Sequence, residues 1–136
     1  MRRRRFQEVS DPQSVRLLAD IAQLWGYPRE LDESDWHPGA IWFRFGDDVI
    51  FWMQKLESGY AVVHTVRDPY SQAPKGAEAR RLFHTIEFIG DLIRAKGLLA
   101  SDCTTTGEVA SYLQRLGWVE SDERPTPEDV WYVRNL

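Results

Sequence analysis

The order of apolar patterns along the chain predicts an α/β fold of the α+β type, with a mixed sheet that is mostly antiparallel and contains one parallel pair. Three observations carry this. Runs rich in aromatic and β-branched residues fill residues 40–66, and the links between them are short and contain glycine, which is the pattern of an antiparallel meander. A long helical periodicity then separates the last of these runs from the next buried one, and a crossover of that length joins parallel strands. The C-terminal third adds one more helix and two more strands.

Taken in order, "RRFQEV" forms a short first strand. "SDP" starts a helix, with Ser10 or Asp11 as the cap and Pro12 in the first turn. Val15, Leu18, Ala22 and Trp25 recur on one face of that helix, and Gly26 followed by Pro28 stops it. "RELDESDWHPG" is acidic, broken by Pro38 and Gly39, and reads as a loop with at most one helical turn. "AIWFRF", "VIFWMQKLE" and "YAVVHTV" are the three strands of the meander. Beyond a turn at residues 69–76, Leu82, Phe83, Ile86, Ile89 and Ile93 outline a long amphipathic helix expected to end at Gly97. "LLASDC" is a buried strand, "TGEVASYLQRL" a helix closed by Gly117, and "WVESD" and "VWYVRN" the last two strands. Trp42, Trp52 and Trp131 fall in strands and are expected to pack rather than to line a binding site.

Composition narrows the class of protein. The 136 residues suffice for one domain, 1–136, with a real core. A hydrophobic fraction of 43%, a charged fraction of 28% and no apolar run of membrane-spanning length are those of a soluble globular chain. A formal charge of −4 argues against a general nucleic-acid binder, whose phosphate contacts demand a basic face. The exception is the opening "MRRRRF", in which Arg2 to Arg5 read as a solvated arm, a charged strand edge or a docking arm for an acidic protein partner. No signal-peptide core follows the arginines, and the single cysteine, Cys103, suits a reducing compartment, so a cytoplasmic location is expected. His37, His64 and His84 lack metal-ligand spacing, so no metal site is expected.

Two local sequences now matter. The first is "RDPYSQAPKGAEA", where a strand runs past Pro69 through a polar turn into a helix; a helix start presents free amides and the positive end of its dipole to an anion. The second is "ASYLQRLGWV", a helix with a tyrosine, a glycine terminator and an aromatic residue. Placed within this element order, both resemble the GNAT family of N-acetyltransferases, which transfer an acyl group from coenzyme A to an amine. The resemblance covers most of the chain and implies a sheet of about six to seven strands, a parallel central pair and helices on both faces.

In that family the strand-to-helix loop has the pattern Q/R-x-x-G-x-G/A, and its amides bind the coenzyme pyrophosphate. Here the loop is Gln72, Ala73, Pro74, Lys75, Gly76 and Ala77, so Gln72 and Ala77 match while Lys75 stands at the middle glycine and Gly76 comes one place late. A side chain can obstruct close approach where glycine is expected, and Pro74 lacks an amide donor, yet Lys75 can itself meet a phosphate as a point charge. The resemblance further implies that Val63, His64, Thr65 and Val66 offer backbone groups to the pantetheine arm, where the two central strands splay. It also places Tyr112 on the tyrosine that protonates the departing thiolate.

Acyl transfer to an amine needs a proton acceptor for the amine and a donor for the thiolate. A tyrosine, with an ordinary pKa of about 10, can protonate a thiolate whose acid form has a pKa of about 8.5. Glu57 and His64 are the candidate bases. Each also has a plainer role, Glu57 in a solvated hairpin turn and His64 packed or hydrogen-bonded within the sheet. The expected function is therefore an acetyl-CoA-dependent N-acyltransferase with an unidentified amine acceptor, which the acidic Glu30, Asp32, Glu33 and Asp35 would attract if it is cationic. The alternative is a catalytically silent binding or assembly protein, resembling small phage-encoded members of the fold that are associated with the virion, and assembled as a homo-oligomer or a larger particle.

Overall fold

The structure, a computed structural model, describes residues 4–27, 29–31, 39–101 and 108–136. Arg2, Arg3, Asp32, Glu33, Asp35, His37 and Cys103, each singled out above, lie outside the described residues. The elements run β1 (Phe6–Val9), α1 (Pro12–Leu24), β2 (Ala40–Phe45), β3 (Val49–Lys55), β4 (Ala61–Arg67), α2 (Ala77–Leu92), β5 (Gly97–Ser101), α3 (Glu108–Arg115), β6 (Val119–Glu120) and β7 (Trp131–Asn135). The strand order is β1-β2-β3-β4-β5-β7-β6, with β4 and β5 parallel and joined by α2, as the spacing predicts. Among the described residues, no helix is long and apolar enough to cross a membrane.

The chain divides into two compact units, Met1–Gln54 with His64–Ile86, and Lys55–Val63 with Glu87–Leu136. In the first unit, β1 pairs antiparallel with β2, and β2 with β3. The register sets Trp42 directly opposite Trp52 on one face and Phe43 opposite Phe51 on the other, and both pairs stack, at 4.3 and 4.8 Å between ring centroids. Val15, Leu18, Ala19 and Ala22 of α1 pack with Val9, Trp42, Ile50 and Trp52. On the other face the Arg81 guanidinium of α2 lies over the rings of Phe45 and Phe6, at 4.9 and 5.6 Å. Because both faces are covered, every residue from Val49 to Met53 is buried, which explains why β3 reads as a continuous apolar run rather than an alternating one.

In the second unit β5 pairs antiparallel with β7 along its whole length, and β6 with β7. Val62, Leu99 and Trp131 form one buried cluster, with Leu56, Tyr60 and Val133 packed against it, and Leu98, Leu113 and Trp118 are also fully buried. The Trp131 indole donates to the Thr126 hydroxyl at 3.0 Å, so its one polar atom is satisfied.

Helix ends show where local sequence decides structure. Asp11 caps α1 by accepting from the Ser14 amide at 2.9 Å, and Pro12 takes the first helical position. At the other end Gly26 adopts φ +93°, with its amide on the Gln23 carbonyl and the Tyr27 amide on the Ala22 carbonyl, the paired bonds of a Schellman motif. Gly117 closes α3 in the same way, with Trp118 bonded back to Leu113. The expectation for α2 needs correction, because it ends at Leu92 and not at Gly97. Arg94 takes the left-handed position, at φ 58°, and the Ala95 amide returns to the Gly90 carbonyl. Gly97 has a different duty as the first residue of β5: a Cβ there would stand 2.9 Å from both the Arg134 carbonyl oxygen and the Tyr60 ring.

Candidate functional site

The loop that follows β4 is built by its own polar residues. The Asp68 carboxylate accepts from the Tyr70 amide at 2.9 Å, and the Asp68 carbonyl accepts from the amide and the hydroxyl of Ser71 at 3.1 and 2.9 Å. Arg67, the last residue of β4, donates to the Ser71 carbonyl. The Asp68 amide donates to the Asp48 carbonyl in the β2–β3 turn at 2.8 Å. A turn with this many internal bonds holds the exit of β4 in one path.

Past this turn Gln72, Ala73, Lys75, Gly76 and Ala77 are all exposed. The left-handed conformation falls on Gly76, at φ 54°, immediately before α2, while Lys75 has no positive φ. The displaced glycine therefore makes the bend that a lysine would resist, and a Cβ at Gly76 would meet nothing within 4 Å, so the space above it is open. The carbonyls of Lys75 and Gly76 accept the Glu78 and Arg80 amides at 3.2 and 3.1 Å, starting the helix. Earlier first-turn amides have no intrahelical partner by geometry and, with the exposed side chains of Lys75 and Arg80, give this helix start its positive character.

β4 pairs with β5 over two positions, Ala61 with Leu98 and Val62 with Leu99. The register ends there, although β4 continues through Val63, His64, Thr65 and Val66 to Arg67.

His64 sits on the tryptophan face of the first unit. Its ring stacks on Trp52 at 5.0 Å between centroids and an interplanar angle of 19°, and its Nδ1 lies 2.9 Å from the Tyr27 hydroxyl. Tyr27 reaches this place because the Schellman turn at Gly26 folds it back onto α1, where it also meets the Trp52 ring edge-on at 4.9 Å. Burial, reinforced by the nearby Arg29 charge, lowers the His64 pKa to about 4, so the ring is neutral at physiological pH. Sequence reasoning missed Tyr27; the available signal was an aromatic residue directly after a glycine helix terminator.

Tyr112 is half-buried on α3, with the Arg115 guanidinium 5.6 Å from its ring centroid. Glu57 is exposed in the turn before β4, where the Leu56 amide bonds the Tyr60 carbonyl at 2.7 Å, whereas the Gln72–Ala77 loop follows β4 in the chain. Of the arginine run, Arg4 is bound within the first unit. Its Nε and Nη2 form a fork on the two oxygens of Asp48 at 2.9 and 2.7 Å, its Nη2 also donates to the Gln72 carbonyl at 2.8 Å, and its Nη1 pairs with Glu78. The fork holds the Asp48 carboxylate below its ordinary pKa range. Among the described residues, no group of three or more His, Cys, Asp and Glu side chains could hold a metal ion.

The chain resembles solved acetyltransferases over nearly all of its length. It superposes on aminoglycoside 6'-N-acetyltransferase complexed with coenzyme A with a TM-score of 0.66 at 15% identity, covering 96% of each chain. For the GNAT domain of S. lividans PAT the TM-score is 0.70 at 12% identity, covering 98% of this chain and 90% of the other. For the ribosomal-protein-S5-alanine acetyltransferase of Vibrio fischeri it is 0.68 at 12% identity, covering 99% and 94%. No protein-family model and no curated protein matches the sequence. At this level of identity the likeness is one of fold, and the fold is that of the GNAT acetyltransferases.

Proposed function

We propose, from the GNAT fold that the chain adopts, that the protein is an acyl-coenzyme A dependent N-acyltransferase that takes acetyl-CoA and an amine acceptor. The observation that carries this reading is the path of β4. The strand leaves a two-residue parallel pairing and runs through an exposed, internally braced turn into a helix start with a left-handed glycine. In this reading the amides at Gly76 and Ala77 and the charge of Lys75 hold the pyrophosphate, with Gln72 and Ala73 flanking it, and the backbone from Val63 to Val66 holds the pantetheine arm. Acetyl-CoA supplies the activated thioester. Tyr112 donates a proton to the leaving sulfur. His64, neutral and held by Tyr27, fits orientation of the acceptor better than abstraction of its proton, because a weakly basic ring draws a proton poorly from an ammonium ion. Glu57 is the other candidate base.

Thermal unfolding with and without excess acetyl-CoA, with adenosine diphosphate and plain salt as controls, tests the reading. A ligand at about 100 times its dissociation constant stabilises the native state by about 2.7 kcal/mol, a rise of several degrees for a chain of this size. Absence of any shift at millimolar coenzyme would overturn it. In an active preparation, Tyr112→Phe is expected to lower kcat by about a hundredfold or more while leaving coenzyme affinity unchanged. An unchanged kcat would remove Tyr112 from the acid role.

A second reading keeps the fold without catalysis, as a binding or assembly module of the kind found in phage particles. Pro74, which lacks an amide, and Lys75 at the middle-glycine position favour it. The same comparison of thermal unfolding with and without acetyl-CoA separates the two readings, since only the first requires coenzyme to bind.

A further inference from the structure

We infer that Arg4 is the positioning residue of the loop after β4, and that its charge frees the start of α2 to receive an anionic ligand. The inference rests on the coenzyme reading of that loop.

Arg4 is held from three segments of the first unit. The β2–β3 turn supplies Asp48, which takes the guanidinium fork; the loop supplies the Gln72 carbonyl; and α2 supplies Glu78, which pairs with Nη1. Arg81, on the next turn of α2, donates to the Arg4 carbonyl. The turn is shaped for this side chain: Gly46 has φ 66°, and a Cβ there would stand 2.8 Å from Arg4 Cγ. The Arg4 side chain is 14% exposed, against 20% for Asp48 and 28% for Glu78, so the cation is the most covered member of the group.

Glu78 explains why a cation is needed. A carboxylate in the first turn of a helix is attracted to the same positive end that an anionic ligand would use, and it repels that ligand. Arg4 pairs with this carboxylate and, through the same guanidinium, pins the Gln72 carbonyl at the first position of the loop. One side chain therefore offsets a competing charge and fixes the backbone from which the loop departs. Lysine cannot do both, because a single ammonium lacks the planar fork that spans Asp48 while reaching Gln72 and Glu78.

The test is calorimetric titration of coenzyme A into the wild type, Arg4→Met, Glu78→Gln and the double variant Arg4→Met/Glu78→Gln, at a temperature where all are folded. The wild type is expected to bind, Arg4→Met to bind about tenfold more weakly or worse, and the double variant to recover the part of the loss that the Glu78 charge causes while the lost Gln72 anchor keeps it below the wild type. Arg4→Lys covers the case in which Arg4→Met does not fold. It is expected to raise amide hydrogen exchange across residues 69–77 relative to the wild type, since the loop anchor is lost.

Affinity of Arg4→Met within twofold of the wild type would overturn the inference and leave the coenzyme reading standing. So would a double variant as weak as Arg4→Met, which is what a purely structural role predicts. Exchange in Arg4→Lys equal to that of the wild type would overturn the positioning role. If the wild type itself binds no coenzyme A, the coenzyme reading fails first and this inference falls with it.

Discussion

Trp52→Ala is expected to destabilise the protein by about 3–5 kcal/mol and lower its unfolding midpoint by about 10 °C or more. Trp52 is 1% exposed and contacts three aromatic partners at once: Trp42 stacked at 4.3 Å, His64 at 5.0 Å and Tyr27 edge-on at 4.9 Å. Truncation leaves a void bounded by rigid rings and strand backbone, which cannot collapse to fill it. Aromatic pairs also contribute about 0.5–1.5 kcal/mol each beyond their buried area. Tyr70 is the natural control: it is 97% exposed, and Tyr70→Ala should change stability by no more than about 0.5 kcal/mol. Urea unfolding of the two variants beside the wild type measures both. A loss below about 1 kcal/mol for Trp52→Ala would show that this cluster is not the core of its unit.

Acidification is expected to weaken the protein before its carboxylates titrate, and His64 is the cause. Its folded pKa is lowered to about 4, from an ordinary 6.5, by burial first and by the Arg29 charge second. The unfolded chain binds this proton below about pH 6.5 and the folded chain does not until about pH 4. The stabilisation is thus complete above the unfolded value and is lost as pH falls from about 6.5 through about 4, by about 3 kcal/mol in all. Asp48 acts in a lower window, because Arg4 holds its pKa below the ordinary 3.8. Urea midpoints between pH 7 and 4.5 should fall for the wild type and stay flatter for His64→Phe, which stacks on Trp52 without titrating. Equal slopes would show that His64 accepts its proton in the folded state as readily as in the unfolded one. Following the His64 imidazole resonances against pH gives an independent reading.

The candidate site was legible only in part. "SQAPKGAE" announces a loop into a helix, and its register shows Lys75 where a glycine is expected. It does not show that Gly76 takes up the left-handed turn, because φ depends on how the chain enters α2. His64 is one of three histidines in the sequence, and neither its neutral state nor its partner Tyr27 follows from spacing, since 37 residues separate the two. Arg4 is one of four consecutive arginines, and sequence offers no reason to prefer it. Only the geometry of Asp48, Gln72 and Glu78 singles it out.

What the sequence determined by itself was the order of elements and most of their ends. Asp11 with Pro12, Gly26 and Gly117 act through bonds to residues within a few positions, so the signals are local and survive without tertiary context. The meander likewise follows from residues whose branching and aromatic rings suit a covered sheet. Tertiary structure decided the rest. It moved the end of α2 from Gly97 to Leu92, because Gly97 is needed where β5 passes close to Tyr60 and the β7 backbone, a contact that no local pattern encodes. It also set the charge state of His64 and gave Arg4 its place. Solvation and ion pairing depend on which distant groups arrive beside a side chain, and that is fixed only when the chain has folded.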